Sequence, residues 1–317
     1  MSAWLAKVKA GFRIHLGFYR FLDPPYIYGS LGAALQEPEL TLTVIKQAHG
    51  HVVINTPTEE SKRIIEETLE CLDVRFSGKI SVNGYVKHHV GLGTKTRIIL
   101  SLLKGLQTLG VLNNDLLTLA REVGLGKFSG VGIYTFLHGG VVIDSGILEG
   151  LKDYPQLIHR FDTPERWRVV VVLPLIREGL SESQEAPIMR NPIPHPKQDL
   201  LYNHLKEVVE GLEKGDFELF SRGVESVQSL TGKYFSKFQG GVFCCEESAR
   251  VAQHMKALGA SGVGQSSWGP LIYGFTADPT GANRISINLR KILNDEGIKA
   301  DIWVTRIPRK GFHVVKA

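Results

Sequence analysis

The sequence predicts an α+β chain, and three observations carry that reading. Residues 11–55 are rich in strand-like segments. Beyond them, amphipathic runs with apolar residues at i, i+3 and i+4 alternate with short β-branched runs. The composition is that of an ordinary globular protein, with 43% hydrophobic and 22% charged residues. At 317 residues the chain can bury a substantial core and suits two domains.

The elements follow in order. Phe12–Leu16, Leu40–Ile45 and His51–Asn55 read as strands, punctuated by Asp23-Pro24-Pro25 and Ala48-His49-Gly50. Thr56-Pro57-Thr58-Glu59 has capping-box spacing with proline at the first helical position, which predicts a helix to about Leu72. Ile80–Val86 is a further strand, leading into a glycine loop, His89-Val90-Gly91-Leu92-Gly93-Thr94-Lys95-Thr96-Arg97. The helix after the loop places Ile98, Leu102, Leu106 and Leu109 on one face, and a second helix runs from Asn114 to Gly124. A small-residue turn, Gly126–Gly132, and the pair Gly139-Gly140 precede the strand Val141–Asp144.

A boundary is expected at Pro155–Pro164, dividing the chain into residues 1–160 and 161–317. Trp167–Leu173 is a strong strand, and Ser181–Asp199, with four prolines, reads as a long loop. Helical patterns over 199–213, 216–230 and 246–258 follow, with strands near 241–244, 271–275 and 300–304.

Charge narrows the function classes. The net charge of +5 is modest, but Val74–Asn114 holds six bases, His88, His89 and no carboxylate. That field suits a small polyanion. A nucleic acid is not expected, since no aromatic interleaving or nucleic-acid motif accompanies the bases. Cys71, Cys244 and Cys245 lack metal-ligand spacing, which excludes a zinc site and a disulfide scaffold and fits a cytoplasmic protein. Met1–Leu22 spreads Lys7, Lys9, Arg13 and Arg20 through the segment and is not a signal peptide, and Val169–Leu173 is too short to span a membrane.

The glycine loops carry the chemistry. Gly91, Leu92, Gly93 and Thr94 run straight into a helix whose N-terminus offers amides and a positive dipole end to a phosphate, with Lys95, Thr96 and Arg97 in its first turn. Lys95 and Arg97 oppose that dipole, so they are either anion contacts or solvated surface bases. His88 and His89 are candidate acid–base or phosphate contacts, though strand alternation sends one of them outward. Arg13 and His15 share one strand face, opposite Phe12, Ile14 and Leu16, and form either exposed surface or one wall of a site. Asp144 ends a strand as a metal ligand or a turn former. The second loop, Gly262-Val263-Gly264-Gln265-Ser266-Ser267-Trp268-Gly269-Pro270, is too specialised for a surface turn. Its Trp268 either stacks on a planar aromatic substrate or belongs to the core.

Taken together, Arg13-x-His15-x-Gly17, Gly29-x-x-Gly32-x-Ala34, His89-x-Gly91-Leu92-Gly93-x-x-Thr96, Ser129-x-Val131-Gly132, Gly139-Gly140-x-x-x-Asp144 and Gly262–Pro270 resemble the archaeal β-ribofuranosylaminobenzene 5′-phosphate synthases. These are a branch of the galactokinase, homoserine kinase, mevalonate kinase and phosphomevalonate kinase (GHMP) superfamily. The resemblance implies a GHMP-kinase-like fold, with a ribosomal protein S5 domain 2-like N-terminal domain and a ferredoxin-like C-terminal domain. It implies a pentosyltransferase that condenses phosphoribosyl pyrophosphate with 4-aminobenzoate or 4-hydroxybenzoate, releasing pyrophosphate and CO2 on a route to tetrahydromethanopterin-type cofactors. Mg²⁺ is the expected cofactor, and a homodimer is compatible with the resemblance. Arg13, His15, His89 and Asp144 are then the catalytic candidates. Gly91–Arg97, Ser129, Gly264, Gln265, Ser266, Ser267 and Trp268 are the phosphate and substrate contacts.

Two alternatives stand beside this reading: a GHMP-type kinase using ATP, and a non-catalytic relative binding a phospho-ligand or nucleic acid. The chain departs from the synthase pattern, because the family's loop usually continues Gly-Leu-Gly-Ser-Gly-Thr-Gln where this one has Thr94-Lys95-Thr96-Arg97. Lys87 replaces a common proline and Gly124-Leu125-Gly126 a common Gly-Arg-Gly. It departs from the kinases as well: Gly132 stands where the aspartate-dependent members carry their base.

Overall fold

The computed structural model describes residues 4–149, 154–176, 179–180 and 182–317. In chain order the elements are β1 (Leu5–Phe18), β2 (Leu22–Asp23), β3 (Tyr26–Ile27), β4 (Ser30–Lys46), β5 (Val52–Asn55), α1 (Glu59–Cys71), β6 (Gly78–Gly84), α2 (Thr94–Thr108), α3 (Leu116–Glu122), α4 (Val131–His138), β7 (Val141–Asp144), β8 (Ile147–Leu148), β9 (Leu157–Phe161) and β10 (Arg168–Pro174). They continue with α5 (Glu182–Met189), α6 (Gln198–Lys214), α7 (Phe217–Gln239), α8 (Glu246–Ala257), β11 (Ser261–Gln265), β12 (Ile272–Thr276), α9 (Pro279–Asp295), β13 (Ala300–Thr305) and β14 (Phe312–Lys316).

The first sheet has the order β14-β1-β4-β6-β5, with β7 beside β4 and β9 beside β7. Its spine is the long antiparallel pair β1–β4, whose register breaks between Gly11 and Arg13 and again between His15 and Gly17. Gly11 makes the first break possible, since a Cβ there would lie 1.9 Å from the Leu35 carbonyl oxygen. Helix α2 buries Ile98, Leu102 and Leu106 against this sheet, and Gly105 lets it approach Val44.

The second sheet, β11-β12-β10-β13, is antiparallel throughout. With α9 between β12 and β13, its connectivity is the split βαβ arrangement of ferredoxin-like domains. The unbroken Val169–Leu173 run is explained by burial on both faces. Val170 and Val172 pack with α8 and α9, whereas Val169 and Val171 join the main core with Phe220 and Val224 of α7.

The α+β pattern therefore holds, with local corrections. The cap of α1 is Thr58, which accepts from the Ser61 N–H at 3.1 Å, and not Thr56. The loop expected over 181–199 contains α5, with Pro187 inside it; residue 181 itself lies outside the described residues. The turn over 126–132 runs into α4, and residues 241–244 form no strand. The segment that follows β13 returns to the first sheet, where β14 pairs with β1. Among the described residues no helix is long and apolar enough to cross a membrane.

Candidate functional site

An open cleft of about 770 Å³ lies between the first turn of α2, the edge of β1, α1, α5, α7 and the second glycine loop. Both glycine loops reach it, but they do so packed against each other. A Cβ on Gly91 would lie 2.4 Å from the Ser266 carbonyl oxygen, and one on Gly269 2.1 Å from the Val90 carbonyl carbon. Gly179 completes the stack, 2.4 Å from the Trp268 carbonyl oxygen by the same measure, while its N–H donates to the His89 carbonyl at 2.7 Å. The glycines are thus needed first for backbone-to-backbone contact, and the loops form one rigid wall. At the end of that wall Gly93, at φ 75°, caps α2 without a side-chain cap bond. The first turn of α2, Thr94-Lys95-Thr96, lines the cleft with its dipole's positive end.

Arg13 and His15 keep the alternation of β1, with Phe12, Ile14 and Leu16 in the core behind them, and both line this cleft, which settles which of their two sequence readings applies. Arg13 donates to the Gly91 carbonyl and lies under Gly93, with its guanidinium carbon 3.0 Å from where a Gly93 Cβ would be. Burial lowers its pKa to about 10, partly offset by Glu185, so it remains a cation at neutral pH. His15 is buried against Phe18, with ring centroids 4.7 Å apart. Its backbone N–H donates to Ser266 Oγ at 2.9 Å, tying β1 to the second glycine loop. Its Nδ1 accepts the Gly17 N–H at 3.2 Å. Burial, followed by the charge of Arg13, pushes its pKa down to about 3, and the ring is neutral.

His88 and His89 lie in a bend beyond the end of β6, so strand alternation does not apply to them, and both meet one carboxylate. Glu60, in the first turn of α1, lies 2.9 Å from His89 Nε2 and 3.5 Å from His88 Nδ1. His88 is buried and its Nε2 contacts Ser61 Oγ at 2.9 Å. His89 lines the cleft at φ 53°. Glu60 escaped sequence reasoning because nothing in residues 58–61 beyond a cap signal points 29 positions ahead. The α7 residues Gln228, Thr231 and Phe235 were missed for the same reason.

Three expectations need correction. Arg97 does not face the cleft. It is 1% exposed, donates to Thr135 Oγ1 at 3.0 Å and the Gly132 carbonyl at 3.4 Å, and lies over the Phe136 ring at 5.5 Å. Its place in the helix puts it one turn behind the cap, on the side packed against α4. Burial and then Arg13 lower its pKa to about 9, leaving a buried cation behind the loop. Asp144 does not line the cleft either. Its carboxylate accepts from Ser30 Oγ (2.6 Å), Gly130 N–H (2.8 Å), Gly146 N–H (3.0 Å) and Ser30 N–H (3.1 Å). It therefore braces the Ser129 loop from behind and does not face the cleft. Finally, Leu92, Ser266 and Gly264 do not reach the cleft: Leu92 is fully buried in the core, Ser266 Oγ donates to the Gly91 carbonyl at 2.7 Å, and Gly264 makes room for Gln228 and Tyr273.

The remaining candidates do line the cleft: Lys95, Thr96, Ser129, Gln265, Ser267 and Trp268. Gln265 braces the wall, accepting the Cys244 N–H at 2.7 Å and donating to the Ser267 carbonyl at 2.9 Å. Trp268 answers both of its sequence readings. It is 7% exposed and packs edge-on against Phe235 at 4.6 Å, and its ring still forms part of the cleft wall. His15, Phe18, Phe235 and Trp268 thus follow one another as an aromatic lining, beside the cationic end formed by Arg13 and the α2 N-terminus.

Known proteins share this architecture. Residues 208–295 match the family described as GHMP kinases C terminal. The chain is 26% identical over 280 residues to the β-ribofuranosylphenol 5′-phosphate synthase of Methanothermobacter thermautotrophicus, covering 80% of this chain and 83% of that one. It is 25% identical over 306 residues to the protein of the same name from Archaeoglobus fulgidus, covering 90% and 91%. Among solved structures, a homoserine kinase from Cytophaga hutchinsonii superposes with a TM-score of 0.73 at 18% identity, over 99% of this chain and 98% of that one. A mevalonate diphosphate decarboxylase from Enterococcus faecalis gives 0.66 at 15% identity, over 99% of both. The chain is a homologue of the β-ribofuranosylphenol 5′-phosphate synthases, built on the GHMP kinase fold.

Proposed function

We propose that the protein is a decarboxylating phosphoribosyltransferase that joins phosphoribosyl pyrophosphate to 4-hydroxybenzoate or 4-aminobenzoate, with loss of pyrophosphate and CO2. One observation supports this most strongly: a single cleft joins a cationic end, made by Arg13, Lys95 and the α2 N-terminus, to an aromatic lining. The names of the two archaeal relatives supply the chemistry that such a cleft could serve.

In this reading the ring carbon that bears the carboxylate bonds to the sugar's anomeric carbon. The anomeric C–O bond breaks, and its electron pair leaves with pyrophosphate. The C–CO2 bond then breaks, its electrons restore the aromatic ring, and CO2 departs. The anionic leaving group gains from fixed donors that need no reorganisation, which is what a half-buried guanidinium and a helix N-terminus offer. The aromatic lining excludes water from the cation-like anomeric centre and holds the acceptor ring against it.

Among the described residues no cluster of three ligating side chains forms, and Asp144 has its oxygens engaged. Mg²⁺ typically binds through one or two carboxylates plus substrate phosphates. It would therefore enter with the pyrophosphate, with Glu67 or Glu185 on the cleft wall as its protein ligand, and neutralise leaving-group charge. The proposal places the enzyme in the cytoplasm and allows a homodimer.

A GHMP-type kinase is the rival that the fold favours, although Gly132 occupies the position of the kinases' base. Thermal melts with phosphoribosyl pyrophosphate, ATP and a single-stranded oligonucleotide, each with Mg²⁺, separate the readings. Saturation at 100 times Kd adds about 2.7 kcal/mol to stability. Stabilisation by phosphoribosyl pyrophosphate, with pyrophosphate and CO2 released only when an aromatic acid is added, is the expected result. Stabilisation by ATP alone, or by the oligonucleotide alone, would overturn it.

A further inference from the structure

His15 holds a buried hydrogen-bond donor that the fold leaves unanswered. The Gly17 N–H already points at Nδ1, so that nitrogen carries a lone pair and the ring proton sits on Nε2. Nε2 is buried and has no hydrogen-bond partner among the described residues. The residue is only 6% exposed, so the donor is withheld from bulk water while its ring forms part of the cleft wall. An unmet buried donor is costly, and native structures keep one where a ligand or ordered water completes it. Here the ring packs against Phe18 and lies within the field of the Arg13 charge. A partner at this point must be an acceptor, and one bearing negative charge gains further from Arg13.

We infer that His15 is a specificity-determining residue that donates from Nε2 to the ring-oxygen substituent of a hydroxybenzoate-class acceptor, and so selects phenol over aniline substrates. This rests on the synthase reading proposed above and deepens it. A phenol or phenolate oxygen accepts a hydrogen bond well. An aniline nitrogen has its lone pair delocalised into the ring and presents two N–H donors, so an aminobenzoate would set donor against donor at this point. Discrimination then comes from a repulsive element as much as an attractive one. The tautomer matters to the argument: were the proton on Nδ1, the ring would present an acceptor and favour the amine. The backbone of the second bulge fixes that choice, because the Gly17 N–H that points at the ring belongs to the β1 segment where the register breaks. Burial removes the other way of changing it, since the ring stays neutral throughout the range in which an exposed histidine would gain a second proton.

The test is calorimetric binding of 4-hydroxybenzoate, 4-aminobenzoate and benzoate to the full chain in the presence of Mg²⁺ and pyrophosphate. The native protein should prefer 4-hydroxybenzoate to 4-aminobenzoate by roughly tenfold or more, the behaviour of a pocket built around a substrate hydroxyl. His15→Phe keeps a ring but removes the donor, and its preference should collapse to within about threefold by the same reasoning. His15→Gln places an amide N–H near the Nε2 position and should retain most of the preference, which a purely structural role would not produce. Melting curves of both variants establish that they fold, and the Gln variant carries the test alone if the Phe variant does not. An unchanged preference in His15→Phe, or a native preference for 4-aminobenzoate, overturns the assignment and leaves the synthase reading intact. Failure of every aromatic acid to bind the native protein overturns both.

Discussion

Replacing Arg13 by methionine separates two roles that the structure assigns to one side chain. The guanidinium is desolvated and donates to the Gly91 carbonyl. That carbonyl has a second donor, Ser266 Oγ at 2.7 Å, so it stays satisfied in Arg13→Met. A buried charge replaced by an apolar side chain of similar volume is commonly neutral or stabilising. The ligand-free variant should therefore melt within about 2 °C of the native protein or above it, given roughly 2–4 °C per kcal/mol for domains of 150–250 residues. Because the folded pKa lies below the unfolded one, the cost of holding Arg13 charged is complete below pH 10, so this comparison should not vary between pH 6 and 9. Anion binding should behave oppositely. A hydrogen bond to a charged partner contributes about 1.5–3 kcal/mol, which predicts phosphoribosyl pyrophosphate bound roughly 10- to 150-fold more weakly. The salt dependence of binding should flatten as well. Calorimetric titration at two ionic strengths, alongside thermal melts, reads both quantities. A variant that melts many degrees lower yet binds the pyrophosphate normally would refute the reasoning and make Arg13 a structural brace.

Other substitutions probe the remaining assignments. Asp144 is fully buried and its pKa is raised to about 6, so the unfolded chain loses its proton first as pH rises from 4. Native stability should fall by about 3 kcal/mol between pH 4 and 6 on this account, and Asp144→Asn should abolish that fall in chemical denaturation curves without weakening ligand binding more than a few-fold. Gly269→Ala places a methyl group 2.1 Å from backbone, and overpacking of this kind costs about 1–3 kcal/mol or more. Melting should show that loss together with weaker binding of both substrates, since the two loops move as one wall. Lys95→Gln should weaken phosphoribosyl pyrophosphate binding several-fold with little change in melting temperature, as Lys95 is exposed at the cleft. Arg97→Gln should do the reverse, since its guanidinium holds Thr135 and the Gly132 carbonyl inside the protein.

Local periodicity carried most of the fold into the sequence. The helices α2, α6 and α8 and the strand β10 have apolar patterns that only one secondary structure can satisfy. What escaped was set by distant partners. The α9 helix has its own signal, the Asp278 cap followed by Pro279, which the sequence reading passed over. The strand β14 is mostly exposed, so burial leaves little pattern on it. The site was legible as a set of residue types and not as directions. Arg97 and Lys95 look equivalent in a glycine loop, and the 100° step of a helix sends one into the α4 interface and the other into the cleft. Alternation puts Arg13 and His15 on one face of β1 but does not say whether that face meets solvent or a cleft. Gly91 and Gly269 read as anion cradles because sequence does not reveal that their backbones touch.

The pairing of β14 with β1 has a consequence for how the protein is made. Residues 6–10 lie against residues 312–316, so the edge of the first sheet waits until about three hundred further residues have left the ribosome. At the usual pace of about 5–20 residues per second, that interval is some tens of seconds. Throughout it β1 presents open backbone donors and acceptors, the template on which strands of other chains add. Early pairing of β1 with β4 covers only the other edge of β1 and leaves this one open until β14 emerges. The chain also cannot be cut near residue 160 into two pieces that each close their own sheet. Emergence of β14, and not completion of the first half, closes the first sheet on that side.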